Sequence, residues 1–190
     1  MAPFNHFDFL APYYDRLIKP GDPTNFCTLS GLPASGLLLD VGGGTGRKSY
    51  PLLKMVTGVF IADSSLGMLS QANKKGGFTT ICSEAECLPF ENEAFERVIM
   101  VDALHHVYNY RTTAGELWRV TKPGGRIVIE EPDIRTNSVK IMAIIEKLAL
   151  MRSHFISPQK IAIEFDYPNA RVNFEVDGST AWIVIDKQAK

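Results

Sequence analysis

The sequence predicts an α/β fold in which a doubly wound, mostly parallel sheet ends in an antiparallel C-terminal hairpin. Three observations carry this. Short apolar runs alternate with longer stretches of helical character, the pattern of parallel strands joined by crossover helices. The first run, "LLLDV" (37–41), passes straight into glycines at 42, 43, 44 and 46, as a tight strand-to-helix turn requires. The tail changes character: 171–176 and 181–185 flank "DGST" (177–180), which reads as a hairpin.

Each element follows from local signals. In the opening "FDFLAPYYDRL" (7–17), Tyr13 and Tyr14 read as lying on a short helix, with Pro12 near its start and Pro20 beyond its end. Its aromatic cluster of Phe4, Phe7, Phe9, Tyr13 and Tyr14 is expected to anchor the helix in the core, with substrate contact as the alternative. Parallel strands are expected over 37–41, 59–62, 79–82, 98–101 and 127–129. Ser64 or Ser65 can cap a helix that runs through Met68 and Ala72 and stops at Gly76 and Gly77. Thr113 with Glu116 forms a candidate capping box for a helix through Leu117 and Val120, closed by "KPGG" (122–125). Ile141, Ile144, Ile145, Leu148 and Met151 make an apolar helical stripe, expected to pack in the core or to roof a pocket.

Composition limits what the chain can do. A length of 190 residues with 45% hydrophobic content suits one well-filled domain, 1–190. A net charge of -1 gives no field toward nucleic acid or anionic lipid, so no nucleic-acid partner is expected. No run reaches the ~18 apolar residues of a membrane span. Three cysteines without a C-x-x-C pair, and an opening without a signal-peptide pattern, suggest the cytoplasm. Cys82 and Cys87 are expected to be buried thiols, and no metal site is expected. Arg135, Lys140 and Arg152 read as solvated helix faces, or as partners for one acidic group on a ligand.

The glycine loop, "GGGTGRKS" (42–49), is the most informative stretch. It misses a P-loop by one residue, with Lys48 and Ser49 in place but Arg47 where the second glycine belongs. A side chain there obstructs the nest of amides that wraps phosphate. It also fails G-x-G-x-x-G from either start, which ends on Arg47 or on Ser49. Asp40, at the carboxyl end of the first strand, would oppose a pyrophosphate and favour a cation. S-adenosyl-L-methionine carries a sulfonium and an ammonium and no phosphate, and Asp40, Gly42, Gly44 and Gly46 form the D-x-G-x-G-x-G spacing that suits it. A lone glycine cluster is equally well read as a close-packing turn. Asp63 ends the second strand, where a carboxylate can accept two bonds from a ribose diol, and Met68 follows one turn later.

With "SEAECLPF" (83–90), "VDALHHV" (101–107) and "ELWRVTKPGGRIVI" (116–129) in this order, the chain resembles the class I S-adenosylmethionine-dependent methyltransferases. More narrowly it resembles the type 11 group, which includes ubiquinone and menaquinone biosynthesis enzymes. The resemblance covers 37–130 densely and the opening 7–17 more loosely. It implies a Rossmann-like fold with an N-terminal helical lid (1–30), a cofactor-binding core (37–130), and substrate-side helices with the hairpin (131–190). It implies S-adenosyl-L-methionine as cofactor, with its methionine portion near Asp40, Gly42, Gly43, Gly44 and Gly46. Asp63 and Ser64 fall beside the ribose, Met68, Glu84 and Ala85 beside the adenine, and Asp102 on the wall after the fourth strand. His106, paired with Tyr14, is the implied orienting and proton-accepting group, with packing as its alternative role.

Three positions depart from the family pattern: Glu84 stands where a shorter aspartate is usual, Pro51 should kink or delay the helix after the glycines, and Lys48 falls on a face that normally packs on the sheet. The expected activity is methyl transfer to a small, apolar or aromatic molecule by a monomer or homodimer. The alternative is a non-catalytic cofactor-binding module acting as a sensor or partner subunit.

Overall fold

The computed structural model describes residues 6–18, 23–148 and 153–189. Parallel strands β1 (Leu37–Val41), β2 (Gly58–Asp63), β3 (Phe78–Cys82), β4 (Phe95–Val101) and β5 (Thr121–Pro132) are followed by β6 (Ala170–Asp177) and β7 (Thr180–Lys187). They form one sheet in the order β3-β2-β1-β4-β5-β7-β6. β7 pairs antiparallel with both β5 and β6, so the hairpin joins the edge as expected. The strand order reverses between β1 and β4, which lie side by side and parallel. In open α/β sheets such a reversal leaves a crevice at the carboxyl ends of the strands, here directly above Asp40 and Asp102.

The central strands read as near-continuous apolar runs because both sheet faces are covered. Leu39, Val98, Met100, Ile127 and Ile129 pack under α5 (Tyr110–Val120) and α7 (Pro158–Ile163). On the opposite face Leu38, Val59, Ile99 and Val128 pack with Phe26 of α3 (Pro23–Leu29) and with Leu52. The three carbonyls at the end of α3 are held by two guanidinium groups. Arg126 Nη1 donates to Leu29 O at 2.8 Å, and Arg97 donates to Ser30 O at 2.7 Å and Gly31 O at 3.2 Å. Cations at a helix C-terminus satisfy carbonyls that have no partner within the helix.

The short helices α1 (His6–Leu10) and α2 (Tyr14–Leu17) are pinned over the carboxyl edge by two aspartates. Asp8 Oδ1 accepts from Gly67 N at 2.8 Å and Ser65 Oγ at 2.5 Å, at the start of α4 (Leu66–Lys75). Asp15 accepts from Thr45 Oγ1 and Lys75 Nζ, each at 2.5 Å. Only glycine fits at 67, because a Cβ there would lie 2.9 Å from Asp8 Cα.

Of the two candidate caps of α4, Ser65 is the one used, as the sequence allowed, its hydroxyl accepting from Met68 N at 3.1 Å. Several local expectations are corrected. α5 starts earlier than the capping box implied: Asn109 is the cap, accepting from Thr112 N at 2.9 Å, and Thr113 is buried inside the helix. "KPGG" does not lie between helix and strand; it belongs to β5, which begins at Thr121 with a register shift against β4. After the glycines Pro51 leaves only a 3₁₀ turn, Tyr50–Leu52, before β2. The stripe on α6 (Asn137–Leu148) is not core: Ile141, Ile144 and Ile145 are exposed, and Val139 is the residue that packs inward. Phe9 and Tyr13 are likewise exposed instead of anchoring the opening helix. Cys82 and Cys87 are exposed, not buried. Phe4, Pro20, Met151, Arg152 and the side chain of Leu148 lie outside the described residues.

Phe95 is, with Phe165, among the largest fully buried side chains of the described core, its ring centroid 5.5 Å from that of Phe60 and 5.0 Å from that of Phe90, both edge-on. Phe95→Ala is expected to cost about 3–5 kcal/mol through lost burial and the cavity left behind. Urea denaturation measures it; a loss below about 1 kcal/mol would contradict this packing.

Candidate active site

An open cleft occupies the carboxyl edge of β1, β2 and β4. Of the residues singled out in the sequence, Tyr14, Asp40, Gly42, Gly43, Gly44, Asp63, Ser64, Met68, Glu84, Ala85, Asp102 and His106 all line it. Gly46 does not; it sits beneath, buried against Ile61 and Phe78, where a Cβ would lie within 2.9 Å of both.

Asp40 is 1% exposed. Its Oδ2 accepts from the Ser49 hydroxyl, and its Oδ1, fully buried, has no hydrogen-bond partner. Burial pushes its pKa up to about 7, against the opposing bond from Ser49. A buried acceptor without a donor is costly, and a ligand cation or donor at the cleft would relieve it. Gly42, in the left-handed region at φ 68°, turns the chain away from β1; a Cβ there would come within 2.5 Å of Ala103 Cβ, on the opposite wall.

Asp63 does more than wait for a diol. Its Oδ2 accepts from Gly44 N and its Oδ1 from Ser65 N, both at 2.8 Å, tying the glycine loop to the end of β2. Each carboxylate oxygen retains a lone pair for a ligand hydroxyl. Burial raises its pKa, and the two backbone bonds oppose that rise.

Asp102 holds a strained left-handed backbone (φ 52°) that aims its side chain at the cleft. Burial raises its pKa, reinforced by Glu131, while Arg47 opposes. Arg47 Nη2 donates to Asp102 Oδ2 at 2.9 Å, and Lys48 Nζ donates to Glu130 Oε1 at 2.6 Å. Lys48 thus points to the end of β5 instead of packing a helix face on the sheet. Tyr14 lies beside Arg47, whose guanidinium is 5.9 Å from the ring centroid, and burial pushes its hydroxyl above the usual phenol range.

His106 ends the 3₁₀ turn Leu104–His106. Phe7 meets it edge-on at 5.0 Å, and its Nδ1 lies 3.4 Å from Ser153 Oγ. The turn is organised by Glu131, near the end of β5. Glu131 Oε1 accepts from Ala103 N at 2.9 Å and Leu104 N at 2.7 Å, and Oε2 faces His105 Nδ1 at 2.6 Å. Arg47, Glu130 and Glu131 were the missed residues. Their available signal was position, since each directly follows a glycine turn or ends a strand at the carboxyl edge.

The donor set fits a cationic nucleoside: an orphaned buried carboxylate oxygen, a second carboxylate with lone pairs to spare, a glycine loop and the apolar Met68 in one cleft. No group of three or more His, Cys, Asp or Glu side chains among the described residues is arranged to hold a metal ion. No helix among them is long and apolar enough to cross a membrane.

The sign of the Asp40 effect on stability follows from its shift. The unfolded chain gives up this proton near 3.8 and the folded chain keeps it to about 7, so Asp40 destabilises the fold progressively as pH rises across that window. Melting temperatures of Asp40→Asn relative to wild type should therefore move in the variant's favour from pH 4 to pH 7. A difference independent of pH would contradict an ionising buried Asp40.

Comparison with known proteins agrees with this architecture. The methyltransferase-domain family model of type 11 matches residues 39–129. A demethylmenaquinone methyltransferase of Streptomyces avermitilis is 38% identical over 95 residues, covering 50% of this chain and 41% of that protein. Another, of Renibacterium salmoninarum, is 32% identical over 133 residues, covering 66% and 56%. The chain thus spans about half the length of these curated relatives. Among solved structures, a chain from the complex between the Haloferax volcanii Trm112 methyltransferase activator and a methyltransferase superposes with a TM-score of 0.83 at 15% identity, covering 98% of this chain and 100% of that one. Residues 39–129 thus match the type 11 methyltransferase-domain family, and the fold is that of solved methyltransferase structures; S-adenosyl-L-methionine is the cofactor that this family and fold use.

Proposed function

We propose that this chain transfers a methyl group from S-adenosyl-L-methionine to a small, apolar or aromatic acceptor, with a hydroxylated quinone-type ring as the leading class. The observation that carries this reading is the cleft itself. Its floor is carboxylate and glycine, and its outer wall is Phe7, Tyr14 and His106. The printed names of the two relatives, which specify demethylmenaquinone, support a quinone-type acceptor.

When bound, the cofactor supplies a methyl group already activated by a positive sulfonium, so the protein's task is alignment and exclusion of water. The glycine loop and Asp40 hold the amino-acid end, and Asp63 with Ser64 the ribose. Met68, Glu84 and Ala85 bracket the adenine, and Asp102 closes the wall after β4. Phe7 and Tyr14, brought over the cleft by the Asp8 and Asp15 anchors, press an aromatic acceptor against the opposite wall. His106 accepts the proton that an acceptor hydroxyl gives up, and Tyr14 orients that hydroxyl. The alternative of a non-catalytic module, raised by Lys48, Pro51 and Glu84, gains nothing from the geometry. Lys48 is satisfied by Glu130, Pro51 lies below the cleft in the 3₁₀ turn, and Glu84 lines it.

The test is labelled-methyl transfer over a panel of quinols, phenols, amines and carboxylic acids, beside RNA, duplex DNA and a basic peptide. Transfer to a quinol or phenol is expected, and His106→Ala should lower turnover roughly 100-fold with cofactor affinity nearly intact. Transfer only to a macromolecule would overturn the acceptor class, and normal turnover in the variant would reduce His106 to packing.

A further inference from the structure

Arg47 is a cation in the wall of a cleft otherwise rich in carboxylates. Its side chain is 10% exposed, it follows the glycine loop directly, and its one ion-pair partner among the described residues is Asp102 at 2.9 Å. Lys48, the next residue, is committed to Glu130 at 2.6 Å, and Glu130 is further engaged by Trp182 Nε1 at 2.9 Å. Among the described residues Asp102 has no such second tie: its side-chain bond is the one to Arg47. Asp40, whose Oδ1 is buried without a partner, lines the same cleft. An adjacent guanidinium and carboxylate, with a second carboxylate short of a donor, match a ligand that carries an ammonium and a carboxylate on one carbon.

Resting on the cofactor reading above, we propose that Arg47 is the receptor for the α-carboxylate of the cofactor's amino-acid arm. The Arg47–Asp102 pair is a placeholder that the zwitterion replaces. On binding, one ion pair becomes two: the ligand carboxylate takes the planar guanidinium fork, and the ligand ammonium takes Asp102 and the orphaned oxygen of Asp40. Arg47 and Asp102 are each paired at both stages, and the orphaned Asp40 oxygen gains a donor on binding, which keeps the desolvation cost of the exchange small. The side chain that spoils a phosphate loop at this position thereby becomes the selective element for an amino acid. Tyr14 lies beside the guanidinium, its ring centroid 5.9 Å away, and lines the same cleft.

The test needs no methyl acceptor. Calorimetry would compare wild type, Arg47→Met and Arg47→Lys with three nucleosides: S-adenosylhomocysteine, its decarboxylated analogue 5′-(3-aminopropyl)thioadenosine, and 5′-methylthioadenosine, which lacks the whole amino-acid arm. Arg47→Met should weaken S-adenosylhomocysteine about 10- to 100-fold, the range for a charge-assisted hydrogen bond lost from a buried site. It should leave 5′-methylthioadenosine within about twofold, which also reports that the variant is folded. The aminopropyl analogue should bind the variant at least as well as wild type, because Asp102 no longer has a competing cation. Arg47→Lys should recover part of the loss. Equal weakening of all three ligands would make Arg47 a structural residue, and unchanged S-adenosylhomocysteine affinity would exclude it as the receptor; either overturns the proposal. If wild type binds none of the three, the cofactor reading falls and this inference falls with it. Loss confined to S-adenosylhomocysteine leaves the cofactor reading standing and supports the receptor role.

Discussion

A carboxylate buried at the end of β1, Asp40, faces a glycine loop with one oxygen lacking a donor, and the rest of the site is arranged around that unmet charge. Burial drives Asp40 toward its neutral form, so the free protein sits near the balance point between carboxyl and carboxylate. A cation tips that balance, whereas a phosphate cannot. The strand reversal between β1 and β4 is what brings Asp40 and Asp102 to the two sides of one crevice. The absence of a regular helix after the glycines, where Pro51 allows only a 3₁₀ turn, leaves Arg47 and Lys48 free to reach carboxylates across the cleft.

Around this centre, carboxylates also organise the scaffold. Asp63 ties the glycine loop to β2, Glu131 gathers the turn that carries His105 and His106, and Asp8 and Asp15 fasten the two opening helices. Each accepts from backbone amides or from cations, so the charge is distributed over donors that cannot rearrange freely. Exposed Ile141, Ile144 and Ile145 on α6 lie outside this network.

What could be read from the sequence follows from which interactions are local. Strand positions were legible because β1, β2 and β4 are covered on both faces and so appear as unbroken apolar runs. The hairpin was legible from its turn, "DGST". Asp40, Asp63 and the glycines were legible because their chemistry is fixed by neighbours a few residues away. The partners of Arg47 and Lys48 were not, since Asp102 and Glu130 are brought near only by the sheet. Thr113 misled because its spacing to Glu116 fits a cap, whereas Glu116 in the structure binds Leu88 N and Arg119. The α6 stripe and Tyr13 misled for a related reason: neither apolar periodicity nor an aromatic cluster says whether anything covers it.

The central claim is that a buried carboxylate beside this loop selects a cationic nucleoside over a phosphorylated one. Titration calorimetry of the wild-type chain with S-adenosylmethionine, ATP and NAD, each alone and in competition, tests it most directly. The account predicts saturable binding of S-adenosylmethionine in the micromolar range, on the order of -8 kcal/mol, undisturbed by either phosphorylated nucleotide. Saturable binding of ATP or NAD, with no heat from S-adenosylmethionine, would contradict it.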